Sequence, residues 1–307
     1  MSAMPAPRLA HLPAPVLRTA LRRAAKPVLR PGVPVAVQRR WLEAFCATIP
    51  LSAGTTVTDE RLVRASRAYT TADTDPGRAI LLLHGGAFLT GGSRTHGAMA
   101  AALAHTSGAS VHLLDYRLSP EHPYPAALDD AEAAWHALRA RGYPASRLAV
   151  VGDSAGGNLA LALARRLADG GVRGPAVLGL ISPWGDLALA SPSVRTQAAA
   201  DPLLSVRWVS QGADAYAAGR RLSDPELSPL RGDLSGLPPI VVQGGTDDIL
   251  AGDAERLVDG VRAAGGEIED TRFPGLWHDF QLQAGVLRAA DEALTELGEA
   301  LRARTGG

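Results

Sequence analysis

The chain has one cysteine, one lysine, no net charge and no long apolar run, and each scarcity removes a class of protein. A single cysteine, Cys46, among 307 residues forms neither an internal disulfide framework nor a cysteine-based metal cluster. The 31 Lys+Arg residues are matched by 31 Asp+Glu. No basic excess is left to neutralise phosphates, so no nucleic-acid partner is expected, and no anionic membrane surface either. Lys26 is the only lysine; with the abundant alanine, this reads as genome composition rather than chemistry. No stretch approaches the roughly 18 apolar residues of a membrane span. Arg22-Arg23 followed by Lys26 faintly resembles a twin-arginine export signal, but Arg30, Pro31 and Pro34 interrupt the apolar run that a signal needs and Arg39-Arg40 close it. A cytoplasmic location is therefore the expectation. No G-x-G-x-x-G opens a helix and no G-x-x-x-x-G-K-[ST] occurs, so a nucleotide is not expected, and no cofactor or resident metal is called for.

What the chain does have is apolar mass. Hydrophobic residues make up 46% and charged residues 20%, enough to bury a large core. At roughly 150 residues per domain the length suggests two domains, but sheet-based enzyme folds commonly pass 250 residues as one unit. Thr56–Thr58 and Val63–Tyr69 read as short strands. Apolar runs follow at Ala79–Leu83, Ser110–Leu114, Leu148–Val151, Val177–Ile181 and Ile240–Gln243, with a last strand at Glu267–Phe273. Helical patterns lie between them at Thr95–Thr106, Ala126–Arg141, Gly157–Asp169 and Asp253–Ala264, and Gln281–Arg304 reads as a final helix. Continuous apolar strands alternating with helices indicate an α/β fold whose mostly parallel sheet is covered on both faces. Leu9 to Leu29 reads as amphipathic helix broken by Pro13, Pro15 and Pro27. The long interval between Ile181 and Ile240, with a helical pattern near Val206–Ala218, reads as an insertion at one end of the sheet, where a lid or pocket wall would sit.

The strongest chemical signal is Val150-Val151-Gly152-Asp153-Ser154-Ala155-Gly156-Gly157-Asn158, a G-x-S-x-G between an expected strand and an expected helix. A serine becomes an effective nucleophile when a sharp turn exposes it beside a base, and the strained turn requires tiny neighbours, here Gly152 and Gly156. The following helix points free N–H groups at the serine. The bare pattern is short enough to arise by chance in a chain with 33 glycines; its strand-to-helix context is what favours a nucleophile over a plain turn. Upstream, the strand Ala79–Leu83 ends in His84-Gly85-Gly86-Ala87. Acyl transfer needs backbone N–H groups aimed at a developing oxyanion, and glycines let such a loop approach the substrate. Gly85 and Gly86 are the candidate donors, joined by Ala155 after the nucleophile. His84, which precedes the serine, is read as bracing the loop by hydrogen bonding.

A base must follow the serine in this architecture, after an acid. His278 is the only histidine that does, in the loop Phe273-Pro274-Gly275-Leu276-Trp277-His278-Asp279-Phe280 at a strand end. It is assigned as general base toward Ser154 and general acid toward the leaving alcohol. The acid lies in Gly244-Gly245-Thr246-Asp247-Asp248, directly after a strand, with Asp253 as a third carboxylate nearby. Asp247 comes earlier in the turn and is taken as the acid that orients the imidazole, because Asp248 could instead cap the following helix. On that assignment Ser154→Ala loses turnover and Asp248→Asn keeps it.

Together these residues resemble the hormone-sensitive-lipase-like esterases of the α/β-hydrolase superfamily, the bacterial family IV enzymes. The resemblance covers roughly Ala79 to Phe280. It rests on His84–Ala87, on Gly152–Gly157 and on the long segment Asp115-Tyr116-Arg117-Leu118-Ser119-Pro120-Glu121-His122-Pro123-Tyr124-Pro125-Ala126. The acid turn and the Trp277-His278 loop match as well; Ala87 stands where the strict loop has a third glycine. The resemblance implies an α/β-hydrolase fold with a helical cap, built from residues 1–50 and an insertion at about 184–233 of a catalytic domain spanning 51–307. It implies a serine carboxylesterase acting on short- to medium-chain esters through an acyl-enzyme, with Asp247 as triad acid. A lactonase, amidase or acetyl-hydrolase would use the same triad. A non-catalytic receptor on the same scaffold is disfavoured, because receptors of this kind have lost the histidine that His278 supplies. The expected partner is a small-molecule ester, and a homodimer through a sheet edge stays open.

Overall fold

The computed structural model describes residues 11–306. Eight strands form one sheet: β1 (Thr56–Arg61), β2 (Ala65–Thr70), β3 (Asp75–Leu83), β4 (Ala109–Leu114), β5 (Leu148–Asp153), β6 (Val177–Ile181), β7 (Ile240–Gly245) and β8 (Ile268–Phe273). Their order is β1-β2-β4-β3-β5-β6-β7-β8. β1 and β2 are antiparallel to each other, β2 is antiparallel to β4, and every later neighbour is parallel.

The apolar strands are continuous because both faces are buried, and alternate residues serve opposite layers. Leu81, Leu83, Val150, Leu178 and Val242 face α4 (Ala126–Ala140), α5 (Ala155–Asp169) and α8 (Ala251–Ala263), whose Trp135, Leu159 and Leu257 complete that layer. Ile80, Leu82, Ala149, Val151 and Val241 face α3 (Gly97–Ser107) and α9 (Arg288–Arg304), meeting Met99, Leu103, Leu294 and Leu301. At about 1.5–3 kcal/mol for each fully buried large side chain, these two layers supply the main drive to fold. β3 lies between β4 and β5, so the chain leaves its carboxyl end toward one side and later returns on the other. Such a switch point opens a crevice at the carboxyl ends of the strands.

Two segments sit over that crevice. One is N-terminal: α1 (Ala14–Ala20), a π-wound turn at Leu21–Ala25, and α2 (Val35–Cys46). Two of the three prolines that read as breaks begin the helix instead: Pro13 is the residue before α1 and Pro15 occupies its first turn, where a missing N–H costs nothing; Pro27 follows the end of the π-wound turn. The part of the N-terminal reading that falls on residues 1–10 lies outside the described residues. The other segment joins β6 to β7 and contains α6 (Ser193–Thr196) and α7 (Val206–Ala217). The two are tied together: Trp208 Nε1 donates to Gln38 Oε1 at 2.7 Å, and Lys26 Nζ to the Asp201 carbonyl at 2.6 Å. The final helix starts later than the sequence pattern suggests. Phe280–Gln283 is a 3₁₀ turn, Gly285 follows at φ +77°, and α9 begins only at Arg288. No helix among the described residues is long and apolar enough to cross a membrane.

α3 and α9 approach so closely that Gly298 has no room for a side chain. A Cβ there would lie 2.0 Å from Thr106 Oγ1, 2.5 Å from Thr106 Cβ and 2.9 Å from the Ser107 nitrogen. Alanine in a helix interior gains about 1 kcal/mol over glycine, whereas overpacking a fitted contact costs about 1–3 kcal/mol. Gly298→Ala is therefore expected to lower the urea-unfolding midpoint; a raised midpoint would mean that the helices part freely.

Candidate active site

The elbow at Ser154 follows from one strained residue and two close backbone approaches. Ser154 takes φ 50° and ψ −116°, a conformation rare outside glycine, between the last residue of β5 and the first of α5. A Cβ on Gly152 would lie 2.2 Å from the Gly156 carbonyl oxygen, and one on Gly156 would lie 1.9 Å from that of Leu83. Nothing larger than hydrogen fits at either position, so the turn brings Ser154 directly beside the loop that leaves β3.

That loop is rigid. The His84 ring stacks on Tyr116 at 4.0 Å, and the Tyr116 hydroxyl donates to the His84 carbonyl at 2.6 Å. His84 Nδ1 lies 2.8 Å from the Gly85 carbonyl oxygen. Burial, with His96 adding to it, holds the His84 pKa down at about 4, so the ring stays neutral. Gly86 takes φ 114°, and a Cβ there would meet the Thr90 carbonyl oxygen at 2.3 Å. Gly85 does not serve the expected role, because its N–H donates to Asp153 Oδ2 at 2.9 Å. Gly86, Ala87 and Ala155 carry N–H groups that have no acceptor among the described residues. Ala87, at φ 53°, thus has a free N–H where that of Gly85 is taken. Asp153 is fully buried, and its Oδ2 also lies 3.0 Å from His96 Nε2. Burial works against charge on both, but each partner's charge outweighs it: His96 is held above the usual imidazole range and Asp153 below the usual carboxylate range. The sequence carried no signal for His96.

The acid turn and the histidine loop touch through another glycine: a Cβ on Gly245 would lie 2.2 Å from the Leu276 carbonyl oxygen. The adjacent aspartates then point to opposite sides. Asp248 is fully buried, and both its oxygens lie 3.0 Å from His278 Nδ1. Its Oδ1 also accepts the Leu250 N–H at 2.7 Å, so one carboxylate holds both the turn and the imidazole. Asp247, taken from the sequence as the acid, faces away: its Oδ2 pairs with Arg18 of α1 at 2.7 Å, partly exposed. The assignment is corrected on this geometry, since a carboxylate turned outward cannot orient a buried ring. Asp253 is bound elsewhere, with the Asp186 N–H at 2.9 Å, and burial pushes it up to about 6. Burial opposes charge on His278 too, but Asp248 and Asp279 outweigh it and hold the imidazole well above its usual value.

Ser154 and His278 open into one cavity. Leu21, Ala25 and Leu29 of the N-terminal segment and Leu203, Leu204 and Trp208 of the insertion line it. Arg18 binds these parts together: it donates to the Ala200 carbonyl at 2.7 Å and to the Gly275 carbonyl at 2.6 Å besides Asp247, and lies 5.3 Å from the Trp277 ring centroid. Charged hydrogen bonds contribute about 1.5–3 kcal/mol when buried and less when partly exposed, as here. Arg18→Met is expected to cost about 1–2 kcal/mol in chemical denaturation; an unchanged midpoint would show that the strap carries no stability.

The α/β-hydrolase fold family matches residues 80–282. The Mycobacterium tuberculosis protein LipR is 40% identical over 223 residues, 73% of this chain and 72% of its own. An acetyl-hydrolase of Streptomyces hygroscopicus is 38% identical over 230 residues, 75% of this chain and 77% of its own. The crystal structure of an esterase from the bacterial hormone-sensitive lipase family superposes with a TM-score of 0.91 at 32% identity, covering 95% of this chain and 98% of that one. The chain belongs to the α/β-hydrolase fold family, as a carboxylic ester hydrolase of the hormone-sensitive-lipase type.

Proposed function

We propose that the protein hydrolyses short- to medium-chain carboxylic esters through an acyl-enzyme formed on Ser154, with His278 as base and Asp248 as the acid. The observation that carries this reading is the placement of Ser154, on a strained elbow, and the Asp248-bound His278 on the same cavity. Ser154 Oγ attacks the ester carbonyl while His278 Nε2 takes its proton. The charge that develops on imidazole is matched by Asp248, which also keeps the Nδ1 proton in place. The oxyanion is held by the N–H groups of Gly86, Ala87 and Ala155, the last at the N-terminus of α5, where the helix dipole adds to the effect. His278 returns the proton to the departing alcohol. A water, activated in the same way, then releases the acid.

The roof of the cavity is apolar. The N-terminal segment and the β6–β7 insertion act as a cap over the strand ends and present leucines, alanine and Trp208 to the substrate. An apolar, uncharged roof suits small ester substrates, and an acetyl-hydrolase among the relatives is consistent with a small acyl group. An uncharged ester substrate needs no electrostatic steering, in keeping with a chain of zero formal net charge.

Turnover of a nitrophenyl ester chain-length series tests these roles. Ser154→Ala and Asp248→Asn are each expected to lower kcat by about 10³-fold or more, as loss of a triad member does. Asp247→Asn is expected to stay within about tenfold of the native rate, because only the Arg18 contact is lost. Native turnover in Asp248→Asn with loss in Asp247→Asn would return the acid role to Asp247. Full activity in Ser154→Ala would remove the serine mechanism.

A further inference from the structure

His278 faces a carboxylate at both nitrogens. Nδ1 faces Asp248, and Nε2, the atom that must receive the proton of Ser154, lies 3.0 Å from Asp279 Oδ2. Among the described residues no hydrogen bond joins Ser154 Oγ to His278. Asp279 directly follows the base, is buried to 4% exposure and lines the same cavity as Ser154. Its other oxygen, Oδ1, is buried with no hydrogen-bond partner. The imidazole is therefore the one tether of this carboxyl group among the described residues. We propose that Asp279 is a positioning residue that latches the protonated catalytic base as an ion pair and releases Nε2 to Ser154 when the ring's proton leaves. The proposal rests on the serine mechanism above.

The latch follows from counting protons and lone pairs. With Nδ1–H given to Asp248, a 3.0 Å approach of Asp279 Oδ2 to Nε2 is attractive only while the ring is protonated and the contact is an ion pair. In that form Nε2 has no lone pair to offer Ser154. When the proton is lost to solvent, Nε2 and Asp279 Oδ2 become two acceptors in contact. They repel, the carboxylate turns away on its own side-chain bonds, and the Nε2 lone pair is free to accept the Oγ–H proton. No other atom changes hands.

The surroundings favour keeping the proton on the pair. The charged and titratable groups that face the pair are Asp248 from the acid turn, Asp201 from the insertion, Asp153 from the elbow and His96 from the start of α3. His84 faces Asp153 from the end of β3. Burial pushes Asp279 up to about 7, with Asp153 and Asp248 adding to the rise and His278 opposing it. The negative charge around the ring thus favours the protonated, latched form at neutral pH.

Asp279 sits at φ 49° and ψ 39°, a left-handed conformation that glycine adopts freely and asparagine tolerates. Asp279→Gly and Asp279→Asn should therefore both fold, which thermal unfolding checks. The experiment measures kcat/KM for a short-chain nitrophenyl ester, and the rate of Ser154 labelling by a fluorophosphonate, from pH 5 to 9 in the native protein and both variants. Removing the second carboxylate should move the acid limb of both profiles to lower pH by about one unit or more, the size of shift a close opposite charge produces. At pH 6 that means about tenfold faster labelling in either variant. An acid limb that stays in place, or moves to higher pH, in both folded variants overturns the latch. Ser154→Ala distinguishes the two levels: if it still turns over ester or takes the label, the serine mechanism has failed, whatever Asp279 does.

Discussion

A buried imidazole in contact with a buried carboxylate persists only where the backbone on both sides is held and the charge is answered. His278 Nδ1, 3.0 Å from both oxygens of Asp248, is such a contact, and much of the molecule is arranged around it. The acid turn leaves β7 and the histidine loop leaves β8, adjacent parallel strands whose register brings Gly245 opposite Phe273. Gly245 lets the two loops touch without a side chain between them. From there the Asp248 carboxylate reaches inward to the ring. Breaking a buried pair by removing one partner typically costs about 3–5 kcal/mol, so the contact specifies the loops as strongly as it serves the chemistry.

The same device recurs at the serine. Gly152 and Gly156 let α5 start against the end of β3, which sets Ser154 beside the loop of Gly86 and Ala87. A second buried pair, Asp153 with His96, fixes that loop by taking the Gly85 N–H. Two ion pairs thus stand on either side of the cavity, one holding the base and the other holding the loop beside the nucleophile. The N-terminal segment and the β6–β7 insertion close the space above, and Arg18 fastens them to both the acid turn and the histidine loop. A change in the roof thus reaches the acid turn and the histidine loop through one guanidinium.

The sheet was legible in the sequence because its strands are buried on both faces and read as unbroken apolar runs, and because the elbow's glycines are demanded by sterics that act within a few residues. The turn at Ser154 was legible from G-x-S-x-G between strand and helix, and the loop of His278 from chain order. What was not legible was decided by distant partners. Asp247 and Asp248 are neighbours of identical chemistry; Asp247 is drawn outward by Arg18, 229 residues away in sequence, and nothing local to the turn reveals that. Gly85 looked like an oxyanion donor until its N–H met Asp153, 68 residues on. Asp279 carried no motif, since its significance comes from the nitrogen it faces. The start of α9 was misplaced because periodicity runs through Gly285, whose positive φ ends one turn before the helix begins.

The most direct test is whether the proton on His278 Nδ1 is held by Asp248. A proton in so short and buried a contact resonates far downfield of the amide region in a proton NMR spectrum. The native protein and Asp247→Asn should both show that resonance, and Asp248→Asn and His278→Ala should both lack it. A resonance that survives in Asp248→Asn and vanishes in Asp247→Asn would contradict the account at its centre.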